Sequence, residues 1–128
     1  MKKTIPFEII EKNQTIYFDI LRLAELERIL GKSITDIVHS GEAGINFCLA
    51  GMQAGLKHHY FQEGPAFYAE KMGEYISRGG RLDDVAIPII RAIMASGIFG
   101  KGAAEKTEKK IAEAEASEEK NEQSPPVQ

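Results

Sequence analysis

FDILRLAELERILGKSITDIVHSGEAGINFCLAGMQAGLKHH, residues Phe18 to His59, divides into three capped amphipathic helices and holds no recognisable catalytic constellation. Asp19 is placed as an N-cap, Leu23, Leu26 and Leu30 recur at helical spacing, and Gly31 supplies the left-handed residue that ends a helix. Glu25 and Arg28 can pair across a turn. Ser33 with Asp36 three positions on resembles a capping box and opens a short helix through Ile34, Ile37 and Val38, which stops at Ser40-Gly41. A third helix, from about Gly44 to Tyr60, puts Ile45, Cys48, Leu49, Met52 and Leu56 on one face and Gly51 and Gly55 on a neighbouring stripe. Two glycines inside a helix cost roughly 1 kcal/mol each against alanine, so the pattern predicts a close approach by another backbone.

Working outward from this core, residues 3–19 place the β-favouring Ile5, Phe7, Ile9 and Ile10, then Ile16, Tyr17 and Phe18, on either side of polar Glu11-Lys12-Asn13-Gln14. That is the pattern of a β-hairpin, with Pro6 confining the first strand to a sheet edge or to a start after it. On the other side, Gly64-Pro65 opens a fourth helix whose apolar face is Tyr68, Met72, Tyr75 and Ile76 and which Gly79-Gly80 closes. A fifth begins at Asp83-Asp84, whose charges suit the positive end of the helix dipole. It carries Leu82, Val85, Ile87, Ile90, Ile93, Met94 and Ile98, with Pro88 about two turns in, where a kink or split is expected.

After Gly100 the composition changes. Residues 101–128 hold five lysines and seven glutamates, no aromatic residue, and only Ile111 and Val127 as large apolar groups. Such a segment buries too little to offset the entropy of ordering, so a charged flexible tail is expected, with helix propensity concentrated in Ala103 to Ala116. The expected fold is therefore mainly α (α+β): an N-terminal β-hairpin and a compact bundle of about five helices over residues 1–100, then a disordered charged tail over 101–128.

A chain of 128 residues suits one hydrophobic core, and 43% hydrophobic with 27% charged residues is ordinary for a globular protein. A formal net charge of -3 argues against general nucleic-acid binding. Cys48 is the only cysteine, which excludes an internal disulfide and a multi-thiolate zinc site and fits a reducing, cytoplasmic setting. Glu8 and Glu11 interrupt the start before a signal-peptide apolar core can form, and no apolar run reaches the roughly 18 residues that would span a membrane.

Three constellations invite chemistry. His39, His58 and His59, with Glu63 four residues beyond His59, offer metal-binding side chains, but adjacent helix positions diverge by roughly 100° and no His-Glu-x-x-His spacing is present. Asp83-Asp84 reads as a helix start before it reads as an acid and base. Gly97, Gly100 and Gly102 match neither common phosphate-binding order. The helices spanning Ser33 to Tyr60 could imitate a helix-turn-helix, yet offer only Asn46, Gln53 and Lys57 towards base edges, which leaves a small DNA-binding regulator as the alternative to a protein-binding role. No catalytic, cofactor or metal residue is assigned from the sequence.

Leu21-x-x-Ala24-Glu25-Leu26-Glu27-x-x-Leu30-Gly31-Lys32-Ser33-Ile34, then Leu49-Ala50-Gly51-Met52-Gln53-Ala54-Gly55-Leu56-Lys57, and later Glu74-Tyr75-Ile76-x-x-Gly79-Gly80-x-Leu82-x-Asp84-Val85, resemble the tail assembly chaperones of long-tailed phages, prophages and gene transfer agents. The likeness covers about Phe18 to Gly100 and rests on small and aliphatic residues at helical spacing. His58, His59 and Pro88 are not features of that pattern. The resemblance implies a non-enzymatic protein of the host cytoplasm that binds and solubilises the tape measure protein and assists the tail tube protein, without nucleic acid, membrane or cofactor, and leaves homo-oligomerisation open. It also implies a frameshift-extended form in some members, joined near Lys101. Helix-in-groove packing would suit such a client, with the exposed members among Leu49, Met52, Leu56, Ile87, Ile90, Ile93, Met94 and Ile98 as the contact residues.

Overall fold

The computed structural model describes residues 3–123, with side chains as far as Ala116. Two short strands, β1 (Ile5–Pro6) and β2 (Thr15–Ile16), precede six helices: α1 (Ile20–Leu30), α2 (Ile34–Ser40), α3 (Ile45–Gly55), α4 (Pro65–Ser77), α5 (Leu82–Ala95) and α6 (Lys101–Gln123). The fold is mainly helical with an N-terminal antiparallel hairpin, as the sequence predicts.

The hairpin ladder is shorter than the β-favouring runs suggest. Ile5 faces Ile16 and Pro6 faces Thr15, and Phe7 N–H donates to the Gln14 carbonyl at 2.9 Å. Pro6 has no N–H to offer, and Ile9 and Ile10 lie in a bend. Asn13 takes a left-handed conformation in the turn (φ 65°), and its N–H donates to the Glu8 carboxylate at 2.9 Å. Ile5 and Phe7 alternate inward as strand residues should, while Ile16, Tyr17 and Phe18 are buried in succession.

The helix ends match the capping chemistry read from the sequence. Asp19 Oδ1 accepts from Arg22 N–H at 2.9 Å, Ser33 Oγ accepts from Asp36 N–H at 3.1 Å, and Gly31 and Gly41 are both left-handed. Pro65 stands in the first turn of α4. Asp84 closes the start of α5 by accepting from Arg81 N–H at 3.0 Å and from the Tyr75 hydroxyl at 2.7 Å.

α3 is the central element, in contact with α1, α4 and α5. Its glycines do permit a close approach, by side chains rather than by another backbone. A Cβ on Gly51 would stand 2.6 Å from Ile89 Cγ2, and one on Gly55 would stand 2.5 Å from Ile16 Cγ1. The helix ends at Gly55, about five residues before the predicted Tyr60, because the Gly55 carbonyl accepts from Arg22 Nη1 at 2.9 Å. Ile45, expected on the inner face, is exposed, whereas Phe47, Ala50 and Ala54 are buried.

Two further differences concern the C-terminal half. α5 runs unbroken through Pro88, and its buried side is Val85, Ala86, Ile89, Ala92 and Ile93, so Ile87 and Ile90 are only partly covered. The Leu82–Ile98 stretch is apolar almost all round, and such a stretch cannot reveal its own phase. Beyond Gly100 the stretch of high helix propensity is helical: α6 extends over Lys101–Gln123, wider than Ala103–Ala116. It docks on α5 through a half-buried stripe that includes Ala104, Thr107 and Ile111, and Arg91 Nε donates to both Glu108 carboxylate oxygens at 3.0 and 3.2 Å. Val127 and the rest of residues 124–128 lie outside the described residues.

Cys48 is fully buried, and burial first, then Asp83, pushes its thiol up to about 11. The thiolate is the reactive form, so native-state alkylation at pH 8 should run at least about a hundredfold slower than in the denatured chain. Timed thiol labelling with and without denaturant measures this; similar rates in the two states would show that the α3 core opens readily.

Candidate interaction surface

α2 is held against the body of the protein by few groups, and clefts open along its flanks. The Glu27 carboxylate of α1 accepts from Ile34 N–H at 2.7 Å, fixing the first turn of α2, and Lys32 reaches Glu42 at 3.2 Å across the following loop. On one side a cleft of about 400 Å³ is bounded by Leu30, Ile37, Ile45 and Phe47. Towards α5 a narrow apolar cavity of about 70 Å³ lies between Ile37, Val38, Phe47, Ile90 and Ile93. On the side of α1, another cleft of about 400 Å³ brings together Ile20, Leu23, Ile34, Ile98 and Phe99.

These clefts gather large aliphatic side chains that are open to solvent: Ile20 is 56% exposed, Ile45 60% and Ile98 43%. Isolated exposed aliphatics are ordinary, but aliphatics collected at the mouths of clefts with mixed walls, Lys32, Ser40, Glu42 and Asn46 beside Ile45 and Glu27 and Thr35 beside Ile20, form a surface that can accept an amphipathic chain. Leu21, Phe61 and Ile76 are also exposed.

The eight contact residues read from the sequence divide unequally. Met52, Leu56, Ile93 and Met94 are buried and belong to the core, so they present little or no surface to a partner. Leu49 is half-buried, Ile90 lines the cavity beside α2, and Ile98 lines the cleft beside Ile20. Ile87 lies apart, under α6. The sequence reading did not single out Ile20 and Ile45 as contact residues. Ile20 directly follows the Asp19 cap and Ile45 directly follows Gly44, the first turns where a side chain overhangs the helix end, and this position was the available signal.

His58 and His59 serve a structural corner, whereas His39 lies exposed in the last turn of α2. Arg22 Nη1 donates both to the Gly55 carbonyl and to His58 Nδ1 at 2.9 Å, and the guanidinium lies over the Tyr17 ring at 3.9 Å. Because arginine can only donate, His58 Nδ1 carries the lone pair, and its Nε2–H faces Thr15 Oγ1 at 3.1 Å. His59 Nε2 accepts from Thr15 N–H at 3.1 Å. Among the described residues no group of three or more His, Cys, Asp or Glu is placed to hold a metal ion. Lys57, considered above for base contacts, is ion-paired with Glu25.

No helix among the described residues is long and apolar enough to cross a membrane. Comparisons with protein-family models, with curated proteins and with solved structures gave no match.

Proposed function

We propose that the protein is a tail assembly chaperone, a non-enzymatic binding protein that shelters apolar helical stripes of the tape measure protein while the tail tube assembles around it. The observation that carries this reading is the set of solvent-open aliphatics at the α2 clefts, Ile20, Ile45 and Ile98, beside grooves with mixed walls. The resemblance over Phe18 to Gly100 supports it independently. A tape measure protein is long and helical, and its uncovered apolar stripes aggregate unless another surface takes them up. An amphipathic helix offers side chains at i, i+3, i+4 and i+7, a spacing that grooves along a short helix can receive.

The test is co-expression with a candidate tape measure protein, a long coiled-coil-like product sought in the gene neighbourhood. Its soluble fraction should rise severalfold and the two should co-purify, whereas Ile45→Asp and Ile98→Asp, both at exposed sites, should cut co-purification at least tenfold while leaving the fold intact by circular dichroism. Unchanged solubility without co-purification would sink the proposal, and salt-sensitive retention on DNA would favour the regulator instead.

A further inference from the structure

α6 is an odd occupant for the surface it covers. The outer stripe of α5 beneath it runs through Asp84, Ile87, Pro88, Arg91 and Ala95, at helical spacing and partly buried throughout. Strand β1 forms the other wall. A well-matched helix would bring large aliphatics to this floor, but α6 brings Ala104, Thr107 and Ile111, and only the last is large. The poor fit leaves open space along its length. One cleft of about 340 Å³ lies between Ala104 and Glu108 on α6 and Lys3, Ile5, Arg91 and Ala95 below. A second, of about 380 Å³ and more polar, lies where Glu115 approaches Pro6, Ile9, Ile87 and Pro88, with Glu8, Tyr75, Asp84 and Arg91 also lining it.

The polar contact at the centre is better made than the apolar ones. Arg91 meets Glu108 through a single Nε–H shared between the two carboxylate oxygens, a charge-assisted contact that favours an acidic side chain here. The pair is partly open to water, so it orients a helix more than it holds one.

We infer that the α5–β1 face is a second helix-docking groove, and that α6 is a displaceable cover occupying it in place of an amphipathic helix from another chain. The occupant has a carboxylate to meet Arg91 and large aliphatics where α6 has Ala104 and Thr107. It gains by filling the first cleft, which Ala104 lines, and by putting apolar surface where the half-buried Thr107 faces α5. This face is separate from the α2 clefts, and the inference does not depend on the tape measure protein being the client.

The experiment uses the full-length chain and a labelled synthetic peptide of residues 101–123 carrying Ala104→Leu and Thr107→Leu, followed by fluorescence anisotropy. In the Glu108→Arg chain, α6 faces Arg91 with a like charge and should leave, exposing an unaltered groove. That chain should bind the peptide at least tenfold more tightly than the wild type, with faster amide exchange over residues 101–116 and unchanged exchange in α3 and α5. The charge-swapped chain, Arg91→Glu with Glu108→Arg, should restore both the cover and the slower exchange. Equal peptide affinity in the Glu108→Arg and wild-type chains, or α6 amides that stay protected in Glu108→Arg, would overturn the inference. The peptide contains nothing from a tail protein, so this result and the co-expression result can fail separately.

Discussion

A chain with alanine at both Gly51 and Gly55 should be less stable than the parent by about 2–5 kcal/mol, a large fraction of what holds a domain of this size together. Helix propensity alone argues the opposite sign, since alanine for glycine inside a helix gains roughly 0.5–1 kcal/mol at each site. The packing decides it. The new methyl groups would stand 2.6 Å from Ile89 Cγ2 and 2.5 Å from Ile16 Cγ1, with Phe18 Cζ 3.1 Å from the second. Ile16 Cγ1 and Ile89 Cγ2 are attached directly to Cβ, so neither can swing away without moving its backbone or leaving its rotamer. Gly73 in α4 is the internal control: nothing stands within 4 Å of a Cβ there, and Gly73→Ala should gain about 0.5–1 kcal/mol. Urea denaturation of the parent and the two variants checks this through the midpoint at constant slope. A double-alanine chain as stable as the parent would mean that α3 does not sit this closely against Ile16 and Ile89.

Alkali should unfold the protein between about pH 10 and 12, through Tyr68 above all. This side chain is fully buried, its hydroxyl has no hydrogen-bond partner among the described residues, and burial pushes it up to about 12, with smaller pushes from Glu63, Tyr60 and Glu25. A folded value above the unfolded one of about 10 means that the neutral phenol favours the folded state. Its contribution is complete below pH 10 and is lost as pH rises to 12, a change of roughly 2–3 kcal/mol. Tyr75, raised first by its hydrogen bond to Asp84, and Tyr60, raised first by burial, move stability in the same direction. Tyr68→Phe should therefore remove most of the alkaline loss. At pH 7 it should stabilise the protein by about 1 kcal/mol, because it deletes a buried hydroxyl that makes no bond. Denaturation curves at pH 7, 10 and 11.5 for both chains separate these effects. A destabilised Tyr68→Phe at pH 7 would show that the hydroxyl has a partner after all.

What the sequence reveals here depends on whether the deciding force is local. Caps and stops are local, so Asp19, Gly31, Ser33, Gly41 and Pro65 mark helix ends that the structure reproduces. The length of α3 is not local, since it is set by Arg22, distant in sequence, taking the Gly55 carbonyl. The inward side of α5 is decided by Ile89 seating on Gly51, a choice that a run as uniformly apolar as Val85-Ala86-Ile87-Pro88-Ile89-Ile90 does not encode by periodicity. α6 divides in the same way: the helix propensity of Ala103 to Ala116 is legible in composition, whereas its seat on α5 beside Arg91 is not. The contact surface was legible in kind, as exposed aliphatics on helices. Its members were not, because burial sorts Met52, Leu56 and Ile93 into the core and leaves Ile20 and Ile45 outside it.

The corner where Arg22 meets His58 joins separate parts of the chain. A single guanidinium nitrogen serves an imidazole and a main-chain oxygen while the planar group rests on a phenol ring. Lysine at that position keeps the charge and loses the flat face; a hydrophobic residue at 58 strands the donor. Substitution at either position alone loosens the hairpin, the first turn of α1 and the exit of α3 together, so one small polar corner ties the two halves of the N-terminal region.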